Sequence, residues 1–502
     1  MSEFSYEIVI GLEVHVQLKT KTKLFCRCRT EFGNPPNTQT CPVCLGMPGS
    51  LPVMNKKAYF LSMRTALALN CGIPKFTKWD RKNYFYPDLP KGYQTSQFDL
   101  PMSEEGYLDI KSTKDEFEPR RVRIIRAHLE EDAGKSMHDE AAGKGDSRID
   151  LNRTGTPLLE IVSYPDMRSA AEAKAYMQEL RLLLTYLDVS DCNMQEGSLR
   201  CDANVNLHIT TDDGVIATPI VEIKNMNSFR SVERGIEYEA KRQYDVWQET
   251  GKVLGELPKQ TRGWDDSAQV TRSQREKEES ADYRYFPCPD LVPVIVTDQQ
   301  IEEVRQEIGE LPSALRERLQ NEFGLTVYTA DVIVNQGLSL VEYYLELAAA
   351  AGDNKLAGNW VQGEVLRILN DQEIEIEDFP IDAGRLAELL KLVQAGDLDS
   401  SKAKDVFAAM LTSDSSTADV IKELGIEKVD EGALEALCQV LVERNQRIVD
   451  DVKSGNEKAV GALIGQAKKE NPNVNPGQVR QICLEIINNL QVTGRFKPGT
   501  YQ

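Results

Sequence analysis

Two stretches of strict alternation constrain this chain more than anything else in it. In EIVIGLEVHVQL, apolar and β-branched residues alternate with Glu13, His15 and Gln17, so these three share one face of a strand. In EGSLRCDANVNL, Arg200, Asp202, Asn204 and Asn206 alternate with Cys201, Ala203, Val205 and Leu207, and VEIKNMNSF continues in the same style with Glu222, Lys224 and Asn225. A chain that repeats this pattern builds an antiparallel sheet with one packed face and one polar working face. The first strand already offers a carboxylate and an imidazole side by side, in a protein with only 4 histidines, which points to a metal or catalytic role.

The segment from Arg126 to Glu160 carries the densest chemistry. RAHLEEDAGKS sets His128, Glu130, Glu131 and Asp132 beside Gly134, Lys135 and Ser136, and DLNRTGTPLLEIV closes with Glu160 among Leu158, Leu159, Ile161 and Val162. An isolated carboxylate in an apolar run needs a cationic receiver, because a buried unpaired charge is costly or shifts its pKa. The Gly134–Lys135–Ser136 ending is like the tail of a phosphate-binding loop, but Leu129 stands where that motif requires glycine, so a Walker A site is excluded.

Cys26, Cys28, Cys41 and Cys44 form two closely spaced pairs, CRC and CPVC, with the Pro and Gly that a thiolate-bearing turn favours. In a reducing compartment this spacing predicts a closed, structural zinc site remote from the chemistry. Between Lys56 and Leu69 apolar residues recur at helical spacing up to Asn70 and Gly72. The following WDRKNYFYPDLPKGYQTSQFD mixes aromatics with Arg81, Lys82 and Asn83, a loop able to stack a base while its cations touch phosphates, or to be an ordinary packed turn.

Near residue 295 the texture changes. Acids, Leu and Ala dominate beyond it, LVEYYLELAAAAG and NWVQGEVLRILN are amphipathic, and a local basic cluster (Lys468, Lys469, Arg480) lies near a C-terminus, FKPGTYQ, expected to fray. The 502 residues suffice for two to four domains. No apolar run approaches the roughly 20 residues of a membrane helix and the N-terminus has no basic start or cleavage site, which predicts a cytoplasmic protein. The net charge of −20 argues against wholesale electrostatic binding of nucleic acid, so any RNA contact must be local.

GLEVHVQL, DRKNYFYPDLPKGYQ, HLEEDAGKS, LNRTGTPLLEIV, EGSLRCDANVN, EIKNMNSF and DYRYFPCPDL, in this order and spacing, together with NWVQGEVLRILN and the Asn-Pro-rich ending, resemble the GatB/GatE family, the B subunits of aspartyl/glutamyl-tRNA amidotransferases. The CxC and CxxC pairs resemble its zinc-bearing branch, in a family whose other members lack them. Tyr164 stands where the family more commonly carries an acid.

The resemblance implies an α+β fold: a cradle-like N-terminal domain with an antiparallel sheet (1–294), an all-α helical domain (295–406) and a small helical YqeY-like tail (407–502) that grips tRNA. It implies a ligase that uses ATP and magnesium to phosphorylate the side-chain carboxylate of glutamate on tRNA(Gln) or aspartate on tRNA(Asn), then replaces phosphate by ammonia. The ammonia would come from a partner amidase (glutaminase), the A subunit, and a small third component, the C subunit, would make the assembly a heterotrimer. The resemblance supports metal binding by His15, Glu131 and Glu160, with Glu13 and Glu130 adjacent in the catalytic site. The ion would be Mg2+ or Mn2+, with Zn2+ on the four cysteines. Arg81, Lys82, Asn83, Lys135, Arg200 and Lys224 become candidates for ATP phosphates or the tRNA 3′ end. Strand alternation pairs Glu130 with His128 and turns Glu131 away unless the strand ends there. A zinc-containing RNA-binding scaffold and a stand-alone ligase for small acids remain as alternative classes.

Overall fold

The computed structural model describes residues 4–138, 147–274, 283–426 and 430–493, so the frayed end expected at FKPGTYQ lies outside the described residues. The chain divides into two compact units, Met1–Leu315 and Arg316–Gln502. In chain order the strands are β1 (Tyr6–Gln17), β2 (Phe76–Thr77), β3 (Asp80–Asn83), β4 (Tyr93–Ser96), β5 (Gly106–Ile110), β6 (Arg120–Glu131), β7 (Lys135–His138) and β8 (Ser147–Asp150). They continue as β9 (Pro157–Ser163), β10 (Leu199–Thr211), β11 (Gly214–Ala217), β12 (Val221–Lys224), β13 (Gln260–Asp265), β14 (Val270–Ser273), β15 (Phe286–Pro287) and β16 (Val294–Ile295).

Nine of these strands form one sheet in the order β14-β13-β12-β10-β1-β9-β6-β5, with β11 beside β10. Its pairings are antiparallel except that of β12 with β13. The alternation sorts its two faces. Ile10, Leu12, Val14 and Val16 of β1 are fully buried, as are Ala203 and Val205 of β10 and Leu159 and Ile161 of β9. Burying each such aliphatic side chain stabilises the fold by roughly 1.5–3 kcal/mol.

The helices α2 (Lys56–Ala68), α3 (Ala170–Tyr186) and α4 (Phe229–Thr250) share this apolar core. Each begins on a side-chain cap: Asn55 accepts from the amides of Lys57 and Ala58, Ser169 from that of Glu172, and Ser228 from that of Ser231. The opposite face of the sheet keeps the polar residues. A smaller sheet, β15-β3-β4, brings the aromatic-rich loops together.

The register of β6 contains a feature that alternation alone does not supply. Ile124 pairs with Ser163 and Arg126 with Val162, so Ile125 is an extra, bulged residue. Val122 and Ile124 lie in the core before the bulge, and Ala127 and Leu129 after it. The bulge therefore flips parity, and His128 and Glu130 emerge on the polar face.

The first helix after residue 295, α5 (Asp298–Glu307, following α1 at Pro42–Leu45), belongs to the first unit. Its Val304 is buried in the same core as α2, and Glu307 pairs with Arg64 at 2.5 Å. The change in texture near 295 thus marks where the strands end, at β16, and the first compact unit runs beyond it. The second unit is helical. Leu338–Ala351 is one helix, and Asn354–Gln372 is continuous through a π turn at Val361–Val365. Residues 434–487 enclose a separate core around Leu441, Val449, Leu463 and Ile487. The architecture is α+β, an antiparallel-rich sheet followed by a helical C-terminal region. No helix among the described residues is long and apolar enough to cross a membrane.

Candidate functional site

Register places three candidate groups in one row across neighbouring strands: His15 on β1 pairs with Glu160 on β9, which pairs with His128 on β6. Arg200 on β10 extends the row, opposite His15. Glu130 stands in the adjacent row, opposite Leu158, which is itself opposite Gln17. The side chains converge. His15 Nε2 is 3.7 Å from Glu160 Oε2 and 3.9 Å from Glu130 Oε1. His128 Nε2 is 3.2 Å from Glu160 Oε2 and 3.8 Å from Glu130 Oε2. One ligand atom each from His15, Glu130 and Glu160 lie within 4.8 Å of one another, so these three can hold a metal ion.

The electrostatics follow from two carboxylates sharing a buried corner. Burial opposes ionisation of Glu160, but His128, His15 and Lys82 hold its carboxyl well below the usual range. Burial opposes the His128 imidazolium, yet Glu160 and Glu130 raise it to about 9. Lys82 is likewise held above the ordinary lysine range against its burial, first by Glu130. His128 Nδ1 and Arg200 Nε are buried without a hydrogen-bond partner among the described residues.

A cleft of about 670 Å³ opens over His15, Glu130 and Glu160, lined also by Glu13, Lys82, Tyr84, Arg200, Asp202, Glu222, Lys224, Lys259 and Tyr283. Two of its cations, Arg200 and Lys224, are held by carboxylates. Arg200 is held by buried Asp132 at 2.9 Å, which also accepts from Gln17 Nε2 at 2.7 Å. Lys224 pairs with Asp202 and, at 2.9 Å, with Glu222. These carboxylates push its ammonium up against the effect of burial. Glu13 accepts from Asn204 Nδ2 at 2.8 Å.

The structure thus brings together Glu13, His15, Glu130, Glu160, Lys82, Arg200 and Lys224 of the residues nominated from sequence. It sets Glu131 apart from them. After the bulge Glu131 points to the opposite face, where its carboxylate takes the Lys91 ammonium and, at 2.8 Å, the amide of Thr95. Glu130 occupies the place beside His15 that the resemblance assigned to Glu131. Arg81 is engaged by Asp290 at 2.5 Å and lies over the Tyr93 ring. Asn83 ties β3 to the carbonyl of Arg284 at 2.7 Å, and Lys135 is exposed on β7. None of Arg81, Asn83, Glu131 and Lys135 lines the cleft. Lys259 and Tyr283, which do, come from segments with no periodicity to announce them. Tyr164 bonds Glu105 and stacks under Arg123, away from the row.

The four cysteines form a second cluster. Cys44 Sγ is 3.6 Å from Cys26 Sγ, 3.7 Å from Cys41 Sγ and 3.8 Å from Cys28 Sγ. A tetrahedron with metal–sulfur bonds of about 2.3 Å has edges of roughly 3.8 Å, so the set fits zinc. The CPVC turn is the short helix α1, closed by Gly46 at φ 64°, a left-handed conformation that suits glycine. Cys44 is drawn down to about 5, led by the hydrogen bond from Cys26, against burial and with the help of Lys23. All four ligand positions are taken by protein, as in a structural site.

Against known proteins, a model of the GatB/GatE catalytic domain matches residues 8–302, and a GatB domain model matches residues 342–487. The chain is 60% identical over 479 residues to the B subunit of the aspartyl/glutamyl-tRNA(Asn/Gln) amidotransferase of Rhodopirellula baltica, covering 95% of this chain and 96% of that protein. Proteins of the same name from Carboxydothermus hydrogenoformans and Moorella thermoacetica are 46% and 47% identical, over 97% and 96% of this chain and 99% and 100% of theirs.

Proposed function

The chain belongs to the GatB/GatE family, as part of a ligase that works in tRNA-dependent amidation, and from that premise we propose that its cleft carries out a two-step kinase and amide-transfer reaction. In the first step the side-chain carboxylate of glutamate on tRNA(Gln), or aspartate on tRNA(Asn), attacks the γ-phosphorus of ATP and releases ADP. In the second, ammonia attacks the acyl phosphate and phosphate leaves, giving the amide.

The observation that supports this reading best is the convergence of His15, Glu160 and Glu130 at one cleft that Lys82, Arg200 and Lys224 also line, with His128 buried against the two carboxylates. His15, Glu130 and Glu160 would hold Mg2+, or Mn2+, which the imidazole tolerates better. His128, in contact with both carboxylates, orients them. A bound divalent ion supplies charge neutralisation for phosphoryl oxygens. Lys82, Arg200 and Lys224 bind and orient the polyphosphate, since phosphoryl transfer depends on positioning and electrostatics more than on covalent help from the protein. Tyr84 and Tyr283 flank Lys82, with the ammonium 4.9 Å from the Tyr283 ring, and offer stacking faces to a base.

The ammonia would be delivered by a partner glutaminase, with a small third protein in the assembly, in the cytoplasm. The helical region would divide after residue 426 rather than near 406, where the helix Ser400–Met410 runs through the boundary, and its last part would bind the tRNA body. A truncation to test that should follow residue 426, because a cut at 407 would remove the fully buried Phe407 and Met410. It is expected to raise KM for tRNA about tenfold and leave ATP binding unchanged.

The direct test follows ATP cleavage and amide formation by the purified complex with misacylated tRNA, magnesium and free ammonium, which bypasses the partner glutaminase. Turnover should require the aminoacylated tRNA and collapse in folded His15→Ala and Glu130→Gln proteins. Full activity in both variants would refute the site, and ATP cleavage indifferent to tRNA would refute the reaction.

A further inference from the structure

Lys23 is the largest cationic side chain that the fold buries completely, at 0% exposure. A buried ammonium with no counter-charge is costly. Its Nζ donates to the carbonyls of Gln39 at 2.7 Å and Leu151 at 3.4 Å and to Cys44 Sγ at 3.5 Å. The thiolate is the one anionic acceptor among these. Four thiolates around a divalent ion leave two negative charges in a site whose ligands are partly or fully buried, so each cluster supplies what the other lacks.

The contacts of Lys23 also join two parts of the chain. Gln39 belongs to the cysteine-bearing segment. Leu151 begins the 151–156 loop, which leads into β9 and so to Glu160. On its far side that loop is fastened to the end of β6: the Gly155 amide donates to the Asp132 carbonyl at 2.8 Å and the Asp132 amide to the Thr156 carbonyl at 2.9 Å. Asp132 is the residue that holds Arg200 at the cleft. Other links run in parallel: the Gln39 amide to Asn152 Oδ1, Asn152 Nδ2 to the Pro35 carbonyl, the Leu151 amide to Asn37 Oδ1 and the Leu24 amide to the Gly155 carbonyl, each at 2.8 Å.

We propose that Lys23 is the charge partner of the zinc–thiolate cluster and the positioning residue through which that cluster holds the 151–156 loop against the end of β6. The four-cysteine site then acts on the cleft through this loop, in addition to folding its own segment. This goes beyond the amide-transfer reading and does not depend on it.

The test uses the full chain as purified and two readouts that need no catalysis: zinc release to pyridylazoresorcinol, and hydrogen exchange of the 151–156 amides referred to those of β1. Lys23→Met, which keeps length and removes charge, should release zinc about ten- to a hundredfold faster and show faster loop exchange. Stripping zinc from the unaltered protein should raise loop exchange in the same way, which tests the cluster's hold on the loop even if Lys23→Met folds poorly. Asn152→Ala should quicken loop exchange while zinc release stays within about threefold of the unaltered rate. Zinc release from Lys23→Met at the original rate would overturn the charge pairing. Loop exchange unmoved by zinc removal would overturn the positioning role.

Discussion

The two side-chain clusters of the first unit use opposite designs. The cysteine cluster is closed: Cys44 Sγ lies 3.6–3.8 Å from the other three sulfurs, all four lie within 4.8 Å of one another, and four protein ligands leave no position for substrate. The His15, Glu130, Glu160 cluster is open: it offers three ligand atoms at the floor of a 670 Å³ cleft walled by cations. A closed thiolate set holds its ion against exchange and stabilises a fold, while a three-donor carboxylate set leaves room for substrate oxygens and releases its ion readily. The number of donors, more than their proximity, separates a structural metal site from a reactive one.

The sharpest way to break this contrast is metal removal. Brief dialysis against EDTA should abolish amide formation, magnesium or manganese should restore it, and the zinc content should stay unchanged throughout. Loss of zinc in step with activity would erase the distinction. The next largest effect separates two neighbouring carboxylates. Glu130→Gln should lower kcat about a thousandfold with a smaller shift of the unfolding midpoint than Glu131→Gln. Glu131→Gln should do the reverse in kind. Both Glu131 and Lys91 are almost fully buried, so removing one charge strands the other and should cost about 3 kcal/mol of stability, read as a lower denaturation midpoint. Equal kinetic losses in the two variants would mean that the faces of β6 are not functionally distinct. The smallest effect probes the exposed aromatic next to Tyr84 of the cleft: Phe85, 87% exposed, should raise KM for tRNA about fivefold when changed to Ala, with no loss of stability.

Much of this was legible in the sequence because period-two alternation is a local property. Glu13 and His15 had to share a face with each other, and Arg200 with Asp202, whatever strands came to lie beside them. The cysteine spacing likewise specified its cluster, since CxC and CxxC turns need only to meet. Glu160 announced a cationic environment by standing alone among aliphatic residues.

What the tertiary structure alone decided is which of these local faces meet, and at what register. RRVRIIRAHLEE alternates well enough to suggest a strand, but the bulge at Ile125 reverses its parity, giving Glu130 to the cleft and buried His128 to the carboxylates beside it, while Glu131 turns toward Lys91. A bulge forms because β9 and the core select the pairing, an energy that lies outside the strand itself. Lys23 is the same case in another form. In the sequence it is one lysine among several in KTKTKLFC, and only the meeting of Gln39, Cys44 and Leu151 around it turns a surface residue type into a buried cation. Local periodicity is written in neighbouring residues; register and buried charge depend on contacts between segments from 16 to 128 residues apart, which no local pattern encodes.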